Sequence, residues 1–282
     1  MNPHTLDHEA KPHIGNVLHL RYEFVVLLLL ILMAPSQAAR AQQTGAATGT
    51  DLAPLTAEQV VRNLVQMNLR RAQALQAYQG TRTYRVEYHG FPGARSAEMV
   101  VNVKYLPPGT KEFTVQSATG STLIIDKVFK KLLQAEQEAL DANNQRRSAL
   151  SEENYRFTLI GYESGPTGLM YVLDVEPRTK DKFLYCGRIW VDARDFAVVR
   201  IEAEPAKNPS FWTKKSEIVQ AYKKVGDFWL PAYNHTVTAI RLGGHAELTI
   251  NYKDYEITDA TRVSSLSTQE SAPRVETARA RE

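Results

Sequence analysis

The chain has 282 residues, with 34 Lys and Arg against 31 Asp and Glu, and its single cysteine is Cys186. One cysteine excludes an intramolecular disulfide, so the fold must be held by a core. The pI is near 8.8, but the formal charge of +3 is spread thinly and no basic run with interleaved aromatics occurs, which excludes the nucleic-acid-binding class.

Val25-Val26-Leu27-Leu28-Leu29-Leu30-Ile31-Leu32-Met33 is an unbroken apolar run, preceded by Lys11 and Arg21 and followed by the small-residue stretch Pro35-Ser36-Gln37-Ala38-Ala39-Arg40-Ala41. This three-part layout reads as a secretory signal over residues 1–41, cleaved after Ala38 or Ala41. The apolar stretch is shorter than the roughly 18–20 residues that a permanent membrane helix needs, so no lasting span is expected. An uncleaved anchor, or a start codon assigned too early, would account for the long preceding segment with Asp7, Glu9 and Glu23. No cysteine follows the run to accept a lipid at the cleavage point, so the expected product is soluble and exported.

Residues 42–54 are rich in Gly, Ala, Thr and Gln and read as a flexible leader. Thr56 followed by Ala57-Glu58-Gln59 is a capping-box pattern, and Val60, Val61, Leu64, Val65, Leu69, Ala72 and Leu75 form one apolar stripe. A helix over 57–77 is predicted. Period-two rows follow: Tyr84, Val86 and Tyr88, then Met99, Val101 and Val103, joined through the turn region 90–93. A third strand is expected at 112–116, after Pro107-Pro108-Gly109. Phe129, Leu132, Leu133, Ala135 and Leu140 break the alternation and predict a second amphipathic helix over 123–143.

Tyr155, Phe157 and Leu159 share one strand face, and Leu169, Tyr171, Leu173 and Val175 share the next, across a turn at 165–168. Further strands are expected at 184–192, 197–204, 215–223, 228–240 and 246–257, about ten in all. With no repeat and no break in composition, 55–258 counts as one domain, and the polar residues 259–282 read as a disordered tail.

Chemistry-bearing motifs are scarce. Of seven histidines only His89, His235 and His245 lie beyond the expected signal, and no metal-ligand spacing joins them. There is no nucleophile elbow, phosphate loop or dinucleotide fingerprint. Glu152-Glu153 and Asp192 with Asp195 read as turn carboxylates. Neither an enzyme nor a cofactor nor a metal site is expected. A sheet with one apolar face must cover it, and two helices either fill that face or leave an apolar cavity on it; both readings stay open here.

Two segments resemble a known family. Gly187-Arg188-Ile189-Trp190-Val191-Asp192, Asp195-Phe196 and Val198-Val199-Arg200-Ile201-Glu202 are similar to a hairpin of the periplasmic lipoprotein-carrier superfamily, the LolA and LolB group. Gly226-Asp227-Phe228-Trp229-Leu230-Pro231 is similar to the turn that leads into a late strand in that group. The resemblance covers roughly 55–257 and implies an α+β fold: an unclosed β-barrel, strongly curved and antiparallel, with helices over its concave face. It further implies a carrier that shelters the acyl chains of lipoproteins or lipids, with an envelope protein delivering or accepting them; the alternative is an envelope sensor or protein-interaction module of the same fold. The archetypal carrier's lid-tying arginine near the end of its third strand has no counterpart in Lys104-Tyr105-Leu106-Pro107, and the helix 123–143 is longer than its equivalent. From strand parity, the candidate cavity residues are Tyr84, Val86, Tyr88, Met99, Val101, Val103, Tyr155, Phe157, Leu159, Leu169, Tyr171 and Leu173.

Overall fold

Ten antiparallel strands form one sheet in the computed structural model, which describes residues 55–106, 110–208, 211, 213–241 and 243–259. The expected signal, the leader 42–54, most of the tail and the Pro107-Pro108-Gly109 turn lie outside the described residues. In chain order the elements are α1 (Ala57–Ala74), β1 (Leu75–His89), β2 (Arg95–Leu106), β3 (Thr110–Gly120), α2 (Thr122–Ile124), a π turn (Ile125–Phe129), α3 (Lys130–Glu138) and α4 (Ala142–Ser148). Then follow β4 (Tyr155–Gly165), β5 (Gly168–Pro177), β6 (Tyr185–Asp192), β7 (Val198–Pro205), β8 (Thr213–Val225), β9 (Phe228–Ile240) and β10 (His245–Asp259).

The sheet order is β3-β2-β1-β10-β9-β8-β7-β6-β5-β4. Every neighbour is a hairpin partner except β1 with β10, which closes the chain's two ends side by side, while β3 and β4 remain unpaired edges. The fold is therefore the expected α+β half-barrel, not closed.

Thr56 caps α1 as the sequence implied: its Oγ1 accepts from the Gln59 amide at 3.3 Å, and Gln59 Oε1 accepts from the Thr56 amide at 2.8 Å. The helix stops at Ala74, short of 77, because Leu75 is already extended and paired with Asp259. The predicted second helix is not continuous. It begins with α2, loosens into the π turn, and ends at Glu138; Asp141 then starts α4 by accepting from the Asn143 and Asn144 amides at 2.9 and 3.1 Å.

The concave side carries two apolar cores. Val60, Val61 and Leu64 of α1 pack on Tyr155, Leu173, Val175, Ile189 and Val191. Ile124, Phe129 and Leu132, from the α2–α3 segment, pack on Tyr84, Met99, Val101, Val103 and Ile250. Between the two cores runs a buried polar seam on β8 and β9. Thr238 donates to Ser216 Oγ at 3.2 Å, Thr236 to Asn234 Oδ1 at 3.2 Å, and Asn234 to Gln220 Oε1 at 2.8 Å. These bonds among neighbours are what makes the polar groups tolerable inside. On the convex face Met170, Val172 and Trp190 form a small cluster of their own.

Candidate functional site

The inward row of β1 organises the second core. Arg82 and Glu136 of α3 are 4% and 5% exposed, and the guanidinium Nη1 lies 2.5 Å from Oε2 and 2.6 Å from Oε1 of the carboxylate. Tyr84 donates to the same carboxylate at 2.9 Å, Lys111 reaches it at 3.2 Å, and the Tyr252 ring lies 5.0 Å under the Arg82 head. Burial by itself would raise the Glu136 carboxyl, but Arg82 and then Lys111 outweigh it and hold the group below its ordinary value. Burial likewise opposes the charge on Arg82, and Glu136 together with Tyr84, Tyr252 and Tyr78 outweighs it, so the guanidinium is held above its ordinary value. The α2–α3 segment is thus tied to the sheet by a charge pair as well as by Phe129 and Leu132.

Tyr84 separates two hollows. Toward α4 lies a smaller one of about 290 Å³ with a mixed lining, in which Arg82, Glu136, Lys111 and Gln220 stand among Phe183, Tyr222, Pro231 and Tyr252. Toward the turn at 90–94 and the start of β10 lies an apolar cavity of about 480 Å³. Its walls are Val86 and Tyr88 of β1, Thr238 and Ile240 of β9, Ala246 and Leu248 of β10, and Leu123, Ile124 and Val128 of the α2–π segment. Phe91 and Pro92 stand at its rim with Arg95, Lys127 and Glu247. Both open alternatives for the concave face are met in different places: it is packed under α1 and α3, and hollow beyond α2. A volume of this size falls in the roughly 300–1,000 Å³ range of small-ligand sites.

The twelve residues picked by strand parity separate into groups. Val86 and Tyr88 line the cavity. Tyr84, Met99, Val101 and Val103 are buried beneath the α2–α3 segment. Tyr155, Tyr171 and Leu173 belong to the other core, under α1, with Phe157 and Leu159 packed against it. Leu169 is 51% exposed near the start of β5, beside the β4–β5 turn. Most of the cavity wall comes instead from β9, β10 and the helical segment. These are brought to β1 by the β1–β10 pairing, a contact between the two ends of the domain that no local pattern announces. Arg82 was also missed, although it shares the parity of Tyr84, Val86 and Tyr88; a charge in an otherwise apolar inward row was the available signal.

The remaining candidates lie away from the cavity's interior. His89 and His245 stack at 5.0 Å on the outward face, and His245 lies 3.3 Å from Glu247. Among the described residues no group of three or more His, Cys, Asp or Glu could hold a metal ion. Cys186 is half-buried in β6, with its thiol raised by burial and then by Glu204. No helix among the described residues is long and apolar enough to cross a membrane.

The hairpin residues that carry the family resemblance do structural work. Asp192 Oδ1 accepts from the Arg194 and Asp195 amides at 2.9 and 2.8 Å, and Thr167 donates to its Oδ2 at 2.6 Å. Trp229 donates to Asp195 Oδ2 at 2.7 Å, and Arg71 at the end of α1 donates to the Asp195 and Phe196 carbonyls at 2.8 and 2.9 Å. The β6–β7 turn therefore docks both the late strand β9 and the C-terminus of α1.

No family model and no curated protein matches the chain. Among solved structures it is similar to a DUF1329-family protein from Desulfovibrio piger, at 11% identity over 72% of this chain and 93% of that one, with a TM-score of 0.39. It is also similar to a protein described as an outer membrane lipoprotein-sorting domain, from Vibrio parahaemolyticus, at 14% identity over 76% of this chain and 98% of that one, TM-score 0.35. A LolA-superfamily protein from Nitrosomonas europaea matches at 11% identity over 73% and 95% of the two chains, TM-score 0.34.

Proposed function

We propose that this is an exported, periplasmic binding protein that shelters the acyl chain of a lipid or lipoprotein, and that the chain lies in the cavity bounded by Val86, Ile124, Ala246 and Leu248. The observation that carries the reading is the cavity itself: an apolar hollow of about 480 Å³ beside the two packed cores. A domain gains nothing in stability from such a hollow, since each methyl-sized gap forfeits about 1 kcal/mol. A bound chain would fill it, at about 0.8 kcal/mol for each methylene removed from water. On this reading α2 and the π turn are the movable part of the cover, because they form the cavity's roof, while Arg82 and Glu136 fix α3 behind them.

The test is ligand retention. Lipid should co-purify with the protein and be identifiable by mass spectrometry, and a fluorescent fatty acid should bind and be displaced by unlabelled chains. Ala246→Trp, which projects an indole into the hollow, should weaken that binding more than tenfold without lowering stability. Protein that neither retains lipid nor binds the fluorescent chain would overturn the proposal.

A further inference from the structure

We infer that the apolar cavity is blind and sets the longest acyl chain it can bury, with Tyr84, Leu132 and Ile250 as the wall that stops the chain; the inference rests on the acyl-binding reading above. The lining is graded along the sheet. Phe91 and Leu123 are exposed at the mouth, whereas Val86, Ile124 and Leu248 are buried at the inner end. One step further in, the same elements close. Tyr84 is the cross-strand neighbour of Ile250, as Val86 is of Leu248, and Leu132 lies one turn beyond Val128 on the helical segment. Tyr84, Leu132 and Ile250 belong to one core cluster, and none of the three has any exposed surface. Behind them the elements open again, where Arg82, Tyr252 and Glu136 line the second hollow.

The wall is fixed from both sides. The Tyr84 hydroxyl donates to the buried Glu136 carboxylate at 2.9 Å, and the Phe129 ring centre lies 6.3 Å from that of Tyr84. A chain end that pushed past would have to break a buried, charge-assisted hydrogen bond and then lie beside the Arg82–Glu136 pair. The tail therefore stops at the wall, with its other end toward the mouth. Depth follows from the strand. From Tyr84 to its end at His89, β1 rises about 17 Å at about 3.4 Å per residue, which is less than the length of an extended palmitoyl chain. Methylenes beyond that depth stay at the mouth in water and add nothing to affinity. A medium-length chain is buried in full and a long one only in part.

The experiment is a chain-length series. Octanoate, decanoate, laurate, myristate, palmitate and stearate, each below its micelle concentration, are titrated against the purified protein loaded with the fluorescent probe N-phenyl-1-naphthylamine. From octanoate to laurate, displacement should tighten about fourfold for each added methylene. The gain should stop before palmitate, so that palmitate and stearate bind equally. Val86→Phe fills the inner end of the hollow with a ring and should bring the stop to a shorter chain. Ile250→Ala cuts back the wall and should carry the stop to a longer one. If Ile250→Ala does not fold, Val86→Phe decides alone, since its ring enters empty space. Affinity that climbs at the same rate through stearate, or a stop that either folded variant leaves at the parent's chain length, overturns the inference and leaves acyl binding standing. Failure of every acid to displace the probe overturns the acyl-binding reading itself.

Discussion

Replacing Glu136 by Gln should destabilise the protein by about 3 kcal/mol, the lower end of the roughly 3–5 kcal/mol expected when one partner of a buried ion pair is removed. The lower end applies because Arg82 would keep the Tyr84 hydroxyl at 3.2 Å and the Tyr252 ring at 5.0 Å, and because Lys111, the other cation on Glu136, can turn outward. In urea, with a slope of about 2–3 kcal/mol/M for a domain of this size, the midpoint should fall by about 1–1.5 M. The apolar triple variant Arg82→Met/Tyr84→Phe/Glu136→Leu leaves neither a charge nor the buried Tyr84 hydroxyl stranded and should lie within about 1 kcal/mol of the parent. A Glu136→Gln midpoint within experimental error of the parent would refute the claim that this pair ties α3 to the sheet. The effect also has a fixed pH sense. The folded carboxyl titrates below its ordinary value of 4.5, so the folded state binds its proton less readily than the unfolded one. The contribution of the pair is then complete above that value and is lost as pH falls through the lower, folded one. Parent and Glu136→Gln should therefore differ most from neutrality down to pH about 5 and converge in stronger acid.

Other perturbations test the frame around the cavity. A Cβ on Gly187, whose φ is +152°, would lie 2.3 Å from the Glu202 carbonyl oxygen and 2.6 Å from Ala203 Cα. Gly187→Ala should cost more than about 2 kcal/mol by thermal unfolding, whereas Gly161→Ala, with nothing within 4 Å, should change stability by less than about 0.5 kcal/mol. Thr56→Ala removes half of the α1 capping box and should lower stability by about 1 kcal/mol in the same measurement. The Cys186 thiol is raised by burial and by Glu204, so its alkylation by iodoacetamide at pH 8 should be much slower than that of a free cysteine and should reach the free rate on unfolding.

The legible part of the sequence was the part with a short period. Met99, Val101 and Val103 alternate with polar neighbours, and all three are buried as one inward row. Thr56 and Gln59 announce a helix start that the geometry reproduces. Element ends were less readable. β1 begins at Leu75, well before the clear alternation at Tyr84, because Leu75 to Gln79 gain their partners from β10, about 180 residues away. The break at Glu138 followed from Asp141, an N-cap residue inside what the apolar spacing presented as one continuous helix. Parity could say which residues face inward but not what lies opposite them. It therefore ranked Leu173, fully packed under α1, equally with Val86, which borders empty space.

The residues of the β6–β7 turn and those of the cavity wall are constrained in different ways. Asp192, Asp195, Phe196 and Trp229 are fixed by backbone amides, by one another and by Arg71, so any change among them disturbs the seating of both α1 and β9. Such residues are constrained by the half-barrel and carry no information about what the half-barrel holds. Leu123, Val128, Ile240 and Ala246 have the opposite character: they border a hollow, so exchanging one apolar side chain for another changes the shape of the cavity and little else. Arg95 and Lys127 are exposed and can change at almost no cost in stability. The residues around the hollow are thus those where substitution is cheapest. The Arg82–Glu136 pair stands behind the hollow, and it holds α3 in place whatever shape the cavity takes.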